Sequence, residues 1–303
     1  RVSIFMFTLR KIVVFCYILL LGVLLFKLVR TQTNQESQCG TEFCTATAAK
    51  EINALINQKT ESKNTMIFKI QVVYGSVEIK DLSENKIDDE IKKLNQLFAV
   101  SKIKFILNKR RLIKKTNLSI DEFYFNTTEK EKYIAKLEKN YINLIFVKKG
   151  DDYSGFTAIP KTSFLRYLAL ENSFNNIFIS ANLEYPLGTI AHEFGHFFGL
   201  QHTFGSNLES YSTKEKTELN NCNTEGDFIC DTPPDNNTGA FSNCDIVIKL
   251  DGNNIDKDFE YPPVLNFMSY SPNKCRTEFT PMQYSLMEKF ALTYRKRLIM
   301  ANY

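Results

Sequence analysis

The chain has 303 residues, of which 44% are hydrophobic and 24% charged, the balance of an ordinary globular protein. A chain of this length can fold without a structural metal, so a metal site in it points to function. The net charge of +4 comes from residues 1–30, which carry five basic side chains and no acidic one; the remainder has 33 basic and 34 acidic residues. This balance argues against nucleic acid as a partner.

The N-terminal segment has the pattern of a targeting element. Residues 12–26 form an unbroken apolar run of 15 residues with basic side chains on both sides. This run is typical of a signal-peptide core, and with its neighbours it is also near the lower length limit for spanning a membrane. We therefore predict a signal peptide or signal anchor at 1–30. The rest of the protein would be secreted, or membrane-anchored with its folded part outside the cytoplasm.

Cysteine usage agrees with export. Of the seven cysteines, Cys16 lies inside the apolar run, which leaves an even number in the rest of the chain. An even number in an exported chain indicates disulfides, although spacing alone leaves the pairing open. The remaining cysteines are Cys39, Cys44, Cys222, Cys230, Cys244 and Cys275.

Further along the chain, the hydrophobic pattern predicts an α+β protein. Residues 31–65 are polar, contain no strand-like run, and are typical of a linker or a short pro-segment. Strands are predicted at 66–74, 104–112, 143–147 and 176–180, and helices at 84–100, about 129–140, 186–199 and 281–298. The alternation before residue 180 favours a mixed sheet with helices packed on it. Between the last two helices the chain is rich in loops.

The most specific signal is the segment 192–202, His-Glu-Phe-Gly-His-Phe-Phe-Gly-Leu-Gln-His. His192 and His196 are one helical turn apart, so both imidazoles can bind one metal ion. Gly199 can adopt a positive φ and end the helix, after which the chain turns back and His202 can become the third ligand. Three protein ligands leave a fourth position open, which is typical of a catalytic zinc. The chain has no other histidine, which excludes serine and cysteine hydrolases with a histidine base elsewhere.

Glu193 supplies the group that hydrolysis needs. A carboxylate beside the metal can take a proton from the attacking water and return it to the leaving amine, while the metal polarises the scissile carbonyl. A structural zinc site has no use for such a carboxylate. The motif therefore predicts a zinc-dependent endopeptidase with Glu193 as general base. The alternative is a non-catalytic binding or adhesion module on the same scaffold, against which the presence of Glu193 counts.

The pattern H-E-x-x-H-x-x-G-x-x-H resembles the metzincin clan of metallopeptidases, and Asn-Phe-Met-Ser-Tyr at 266–270 resembles the methionine turn of that clan. Within the clan, the chain is similar to the pappalysin family from about residue 186 to the C-terminus. The segments that carry this likeness are His-Thr-Phe at 202–204, Gly-Asp at 226–227, Cys-Asp-Thr-Pro at 230–233 and Phe-Thr-Pro-x-Gln at 279–283. Another metzincin family is the alternative.

The resemblance implies a metzincin-like catalytic domain at 66–303, divided by a horizontal cleft. The upper subdomain, 66–199, would contain a twisted mixed sheet and the metal-binding helix. The lower subdomain, 200–303, would be irregular and disulfide-linked. The cysteines expected to form these disulfides are Cys222, Cys230, Cys244 and Cys275.

The resemblance also implies roles for single residues. Met268 would be the hydrophobic floor beneath the zinc, and Tyr270 would lie near the metal and stabilise the oxyanion; ordinary apolar packing is the alternative for both. Asp227 and Thr232 match positions that help bind calcium in relatives. A turn held by Asx hydrogen bonds is the alternative for that pair.

Two further expectations concern specificity and latency. Lys274 stands where relatives that cleave beside basic residues have an acidic residue, which argues against a preference for Arg or Lys and suggests tolerance of acidic or neutral side chains in the primed pocket. Cys39 could place its thiolate on the zinc and hold the enzyme latent, as in several metzincins. A Cys39–Cys44 disulfide is the competing interpretation. The expected partners are protein or peptide substrates. The expected cofactors are Zn²⁺ and, as the resemblance implies, Ca²⁺, and the oligomeric state is left open.

Overall fold

The computed structural model describes residues 38–39, 45–75, 83–112, 118–157, 175–181, 186–205, 214–216, 220–235, 240–242, 244–247 and 263–300. The segment predicted to be a signal peptide or signal anchor, 1–30, lies outside these residues. Among the residues described, no helix is long and apolar enough to cross a membrane.

The described strands form one mixed sheet and one small hairpin. The sheet contains β1 (Gln38–Cys39), β2 (Met66–Tyr74), β3 (Ile103–Leu112), β4 (Ile142–Val147), β5 (Tyr153–Thr157) and β6 (Asn176–Ser180). Its order is β1-β5-β6-β4-β2-β3. β2, β3, β4 and β6 are parallel, whereas β5 is antiparallel to β6 and β1 pairs in parallel with β5. The predicted mixed sheet is confirmed.

Helices cover both faces of this sheet. They are α1 (Thr45–Ile56), α2 (Glu84–Phe98), α3 (Ile120–Phe125), α4 (Thr127–Ile134), α5 (Pro186–Phe197) and α6 (Pro281–Tyr294). Because side chains alternate along a strand, Leu144 and Phe146 of β4 pack with α1, α2, α5 and α6, while Ile145 and Val147 pack with α3 and α4. The central strands are thus buried on both faces, which explains their continuous apolar runs.

The segment predicted to be a linker or pro-segment contains packed structure in its second half. Ile52 and Leu55 of α1 belong to the same apolar core as the sheet. Lys289 Nζ of α6 donates to Ile56 O at 2.7 Å, and Ser62 N donates to Glu288 Oε1 at 2.6 Å. Packing therefore continues across residue 66, where the sequence places the start of the catalytic domain. The division into 1–30, 31–65 and 66–303 stays a prediction.

Between α5 and α6, the described segments are held by disulfides rather than by long regular elements. Bonds join Cys222 to Cys230 and Cys244 to Cys275. A short antiparallel hairpin, β7 (Ala240–Ser242) and β8 (Asp245–Val247), was not predicted because three-residue strands leave no periodicity to detect. The expected disulfide-linked lower half of an α+β fold is confirmed.

One missed element matters for the site. β5 has the sequence Tyr-Ser-Gly-Phe-Thr, and its serine and glycine are poor strand formers. It becomes a strand through long-range contacts: Gly155 is opposite Ile179 of β6, and the Phe156 and Phe178 rings stack at 4.6 Å. Local sequence could not show this pairing.

Candidate metal centre

The helix α5 is buried between the sheet and the lower loops, with all of its residues except Leu187 buried. Its C-terminal end has the geometry of a Schellman motif. Gly199 has φ +90°, Leu200 N donates to Gly195 O at 3.0 Å, and Gly199 N donates to His196 O at 2.9 Å. The predicted helix end at Gly199 is confirmed, and the turn brings His202 back beside the helix.

The three histidine side chains converge. His196 Nε2 lies 3.1 Å from His192 Nε2 and 3.0 Å from His202 Nε2. Among the residues that the structure describes, these three side chains form the one group of histidine, cysteine or acidic residues whose ligand atoms lie mutually within 4.8 Å. Zinc with Zn–N bonds of about 2.0–2.1 Å in tetrahedral geometry would separate ligand nitrogens by roughly 3.3 Å.

The outer nitrogens show why the short distance between His192 Nε2 and His196 Nε2 is not a hydrogen bond. His192 Nδ1 lies 2.6 Å from Phe267 O, and His196 Nδ1 lies 2.8 Å from Leu200 O. A carbonyl only accepts, so both Nδ1 atoms carry the proton and both Nε2 atoms of the neutral rings present lone pairs. Two lone pairs at 3.1 Å repel each other unless a cation lies between them. The donor set therefore fits a zinc ion.

Burial keeps the three imidazoles in the form that binds metal. It lowers the pKa of His196 from 6.5 to about 3. The pKa of His192 and that of His202 are also well below 6.5, first because of burial and then because of the neighbouring His196 and Arg276. Neutral imidazole is the metal ligand, so no proton has to be removed at neutral pH.

The methionine turn lies against the metal-binding helix. Ser269 N donates to Asn266 O at 3.2 Å, which closes a β-turn, and Met268 N donates to Asn266 Oδ1 at 2.8 Å. Met268 is fully buried, and its Sδ would lie 2.4 Å from a Cβ added at Gly195. The structure thus places Met268 against the helix at Gly195, a residue that lies between His192 and His196 in sequence.

The methionine turn is held in place by two segments that resemble the pappalysin family, 230–233 and 279–283. Asn266 Nδ2 donates to Gln283 Oε1 at 2.8 Å. Gln283 and Thr280 form a capping box at the start of α6, and Asp231 accepts from Thr280 Oγ1 at 2.6 Å. The signal for this role was present as Thr-x-x-Gln at 280–283, but the contact with Asn266 required the tertiary structure.

Glu193 is fully buried between α5 and β5. A Cβ added at Gly155 would lie 2.7 Å from Glu193 Oε1 and 2.8 Å from its Cγ. Any side chain at this position would displace the carboxylate, so β5 must have glycine where it crosses Glu193. Sequence reasoning missed Gly155, because neither its spacing nor its neighbours distinguish it.

Tyr270 lies beside the histidines. Its ring centroid is 4.7 Å from that of His202 and 6.2 Å from that of His192. Phe204 stacks on His202 at 4.8 Å and contacts Tyr270 at 4.7 Å. The structure therefore brings the predicted oxyanion residue to the metal-binding group, within an aromatic cluster.

Asp227 and Thr232 lie together in a buried turn. Asp227 Oδ1 accepts from Ile229 N at 3.0 Å and from Thr232 Oγ1 at 2.9 Å, which is the Asx-turn alternative to a calcium site. Burial, and then the charge of Glu215, raise the pKa of Asp227 well above 3.8. Burial, and then the charges of Asp235 and Glu225, raise the pKa of Glu215 from 4.5 to about 7.

Of the remaining predicted residues, Lys274 lies on a loop and Cys39 lies in the sheet. Lys274 is exposed on the loop after the methionine turn. Two residues further on, Arg276 reaches the metal-binding group, with Nη1 3.3 Å from His192 Nδ1. Cys39 belongs to β1, and its Cα is in register with Gly155 of β5. Sequence reasoning did not single out Arg276.

Comparison with known proteins agrees with this centre. The chain is 27% identical to an extracellular metalloprotease of Podospora anserina over 235 residues, covering 75% of this chain and 73% of that protein. It is 28% identical to an extracellular metalloprotease of Pyricularia oryzae over 219 residues, covering 71% of this chain and 69% of that protein.

Solved structures share the fold. A promirolysin mutant of Tannerella forsythia matches with a TM-score of 0.58 at 18% identity, covering 86% of this chain and 97% of that chain. Mature mirolysin in complex with a cleaved peptide matches with a TM-score of 0.52 at 17% identity, covering 79% of this chain and 100% of that chain. The model of the peptidase M43 family, described as pregnancy-associated plasma protein-A, matches residues 120–291, more than half of the chain. We conclude that this protein belongs to the pappalysin family of metalloproteases.

Proposed function

We propose that this metalloprotease is an exported, zinc-dependent endopeptidase whose general base is Glu193. The observation that carries the proposal is the convergence of three neutral imidazoles beside a buried carboxylate. His192, His196 and His202 would hold the zinc, which would polarise the scissile carbonyl and make water a better nucleophile. The relatives named extracellular metalloproteases and the two disulfides support export. The signal peptide or signal anchor at residues 1–30 stays a prediction.

Glu193 is suited to proton transfer by its position. It follows His192 in α5, and its carboxylate lies beneath β5, where a peptide on the sheet edge would pass. The carboxylate takes a proton from the attacking water and passes it to the leaving amine. Tyr270 can donate its phenolic hydrogen to the oxygen that gains negative charge. The packing of Tyr270 against His202 and Phe204 supports this role by limiting its ring motion.

The sheet edge supports an endopeptidase. Without the two residues of β1, β5 would be the edge strand of the sheet and could pair with an extended peptide through main-chain hydrogen bonds. Such pairing engages residues on both sides of the scissile bond and needs no free terminus. Cleavage inside a polypeptide is therefore favoured over removal of single terminal residues.

The same edge of the sheet supports a mechanism that keeps the enzyme latent. The backbone of β1 pairs with β5, and Cys39 is in register with Gly155, the residue that lies on Glu193. A peptide substrate and β1 would compete for β5. We propose that the segment around Cys39 blocks the cleft until it is released, with the Cys39 thiolate as a fourth zinc ligand.

The test of function is cleavage of a peptide library by the full chain, untreated and after limited proteolysis. The segment with α1 is retained, since Ile52 and Leu55 lie in the core. Glu193→Gln is the matched control, because it removes the base and keeps the shape. We expect internal cleavage by the wild type that disappears on zinc chelation. Wild-type protein that contains zinc but cleaves no more than Glu193→Gln would support the alternative, a non-catalytic binding module.

The test of latency compares Cys39→Ser with Cys44→Ser in the full chain. If Cys39 is a zinc ligand, Cys39→Ser is active without processing and Cys44→Ser stays latent. If the two cysteines instead form a disulfide, the two variants behave alike. Equal latency and equal zinc content in both variants would therefore rule out the thiolate mechanism.

We also propose that Asp227 and Thr232 help to bind calcium. The support is the burial of Glu215, Asp227 and Asp235 in the same region, where a divalent cation would offset their mutual repulsion.

A further inference from the structure

The residue that follows α6 packs against the end of the metal-binding helix. Arg295 comes directly after α6, and its side chain is fully buried. Its Nε donates to Phe197 O at 3.1 Å, and its guanidinium carbon lies 3.9 Å from the centroid of the Phe197 ring. Phe197 is the last residue of α5 and comes directly after His196. Arg295 therefore contacts both the backbone and the side chain of the residue next to a proposed zinc ligand.

The hydrogen bond from Arg295 provides a partner for a carbonyl at the end of a helix. The last four carbonyls of an α-helix have no partner within the helix, and together they form its negative pole. Burying a cation costs free energy, whereas an apolar side chain could fill the same space without that cost. What Arg295 adds over an apolar side chain is the hydrogen bond to Phe197 O, a positive charge at the end of α5, and a cation–π contact.

A second side chain of α6 packs against the same turn. A Cβ added at Gly199 would collide with the ring of Phe290, so this ring lies directly on the turn glycine. The Phe290 ring centroid is also 5.8 Å from the guanidinium carbon of Arg295. Phe290 and Arg295 therefore contact the two ends of the turn 197–199.

The position of this turn affects two of the three proposed zinc ligands. Leu200 O lies 2.8 Å from His196 Nδ1 and accepts the proton that orients this imidazole. Two residues further on, His202 Nε2 lies 3.0 Å from His196 Nε2. A small displacement of the turn would misalign both rings, and the affinity of a zinc site depends on how the surrounding groups orient its ligands.

We propose that Arg295 is a positioning residue for the zinc centre, which fixes the end of α5 and so sets the orientation of His196 relative to His202. Arg295 acts through the carbonyl of Phe197 and not on the metal itself. This inference rests on the proposed binding of zinc by the three histidines, and it does not depend on the role of Glu193 as general base.

The experiment measures the zinc dissociation constant of the full chain by competition with a chromophoric chelator, well below the Tm of every variant. Arg295→Met removes the charge and the donor, whereas Arg295→Lys keeps the charge without the planar guanidinium. Phe123→Leu is the control for a general loss of stability, because Phe123 is buried in the core on the other face of the sheet. Lys104→Met is the control for loss of a positive charge, since Lys104 is exposed on β3.

We expect Arg295→Met to raise the zinc dissociation constant by about tenfold, since loss of an outer partner of a zinc ligand costs about 10–100-fold in affinity. Arg295→Lys should give an intermediate value. Phe123→Leu and Lys104→Met should bind zinc as the wild type does, even though Phe123→Leu should have a lower Tm. If circular dichroism shows that Arg295→Met does not fold, Arg295→Lys decides the question. A raised dissociation constant in that variant supports the inference, and a wild-type value overturns it.

Two further results would overturn the inference. One is an Arg295→Met protein that binds zinc as tightly as the wild type. The other is a Phe123→Leu protein that loses as much zinc affinity as Arg295→Met, because the loss would then come from lower stability. If the wild type binds no zinc, the proposed function fails and this inference fails with it. Wild-type zinc binding that both Arg295 variants retain overturns the inference alone.

Discussion

Two groups of buried titratable side chains in the described part of the chain respond to burial in opposite ways. In the first, His192, His196 and His202, burial lowers the pKa values and leaves neutral rings. In the second, which includes Glu215 and Asp227, burial raises the pKa values and favours protonated acids. Neutral imidazole is a metal ligand, whereas a protonated carboxyl group is not. The same desolvation leaves the first group ready to bind a metal, whereas the second group must lose protons before it can bind a cation.

The partners of each group add to this difference. The carbonyls of Phe267 and Leu200 take the outer protons of His192 and His196 and direct their lone pairs to one point. Asp227 instead directs Oδ1 at the backbone and hydroxyl of its own turn, through Ile229 N and Thr232 Oγ1. Burial alone therefore does not make an ion site. What matters is whether the surrounding hydrogen bonds leave convergent lone pairs.

The largest expected effect comes from breaking the histidine group. His196→Ala should lower kcat/KM by more than the roughly 10–100-fold that loss of an outer partner of a zinc ligand costs. The reason is that two ligands cannot hold the metal in a three-ligand site. Zinc content and peptide cleavage are measured together, with Lys104→Met as control. Full zinc occupancy in His196→Ala would contradict the assignment.

Substitutions in the acidic group should change the stability of the protein rather than its activity. Asp227→Ala removes the acceptor for Ile229 N and Thr232 Oγ1, and should lower the free energy of unfolding by about 1–3 kcal/mol. Denaturant titration at pH 6 measures this change. Zinc content should stay at the wild-type level. If stability did not change, the turn would not depend on these hydrogen bonds.

Added calcium tests whether the acidic group can also bind a cation. Because the acids must ionise before they bind a cation, added calcium should raise the Tm at pH 8 more than at pH 6. Asp227→Asn keeps an oxygen acceptor for the turn but loses the charge, so it should keep most of the stability and lose the calcium response. Thermal unfolding with and without calcium gives both values. If calcium did not change the Tm of the wild type at pH 8, Asp227 and Thr232 would form only a hydrogen-bonded turn.

The smallest expected effect is the pH dependence due to Glu215. Its pKa in the folded protein, about 7, lies above its usual 4.5, so the folded state binds more protons than the unfolded state between these values. Stability from this group is complete below pH 4.5 and is lost as the pH rises towards 7. Glu215→Gln should flatten the stability profile in this window when calcium is absent. A profile as steep as that of the wild type would show that another group is responsible.

The sequence alone determined the parts of this protein that depend on short-range spacing. The strands at Met66–Tyr74 and Asn176–Ser180 have the predicted bounds, because unbroken apolar runs in a buried sheet need no distant information. The turn at Gly199 follows from the positive φ that glycine permits, and it accounts for the spacing between the second and third histidines. The family could be recognised from these same short motifs.

Only the tertiary structure decided which distant residues meet the metal centre. β5 has no strand pattern of its own, yet its pairing with β6 brings Gly155 onto Glu193. Likewise, Lys274 and Arg276 are two cations on one loop, and only the fold shows which of them contacts His192. These contacts join elements far apart in the chain, so they depend on the register of the sheet and the path of the disulfide-held loop, which local periodicity does not encode.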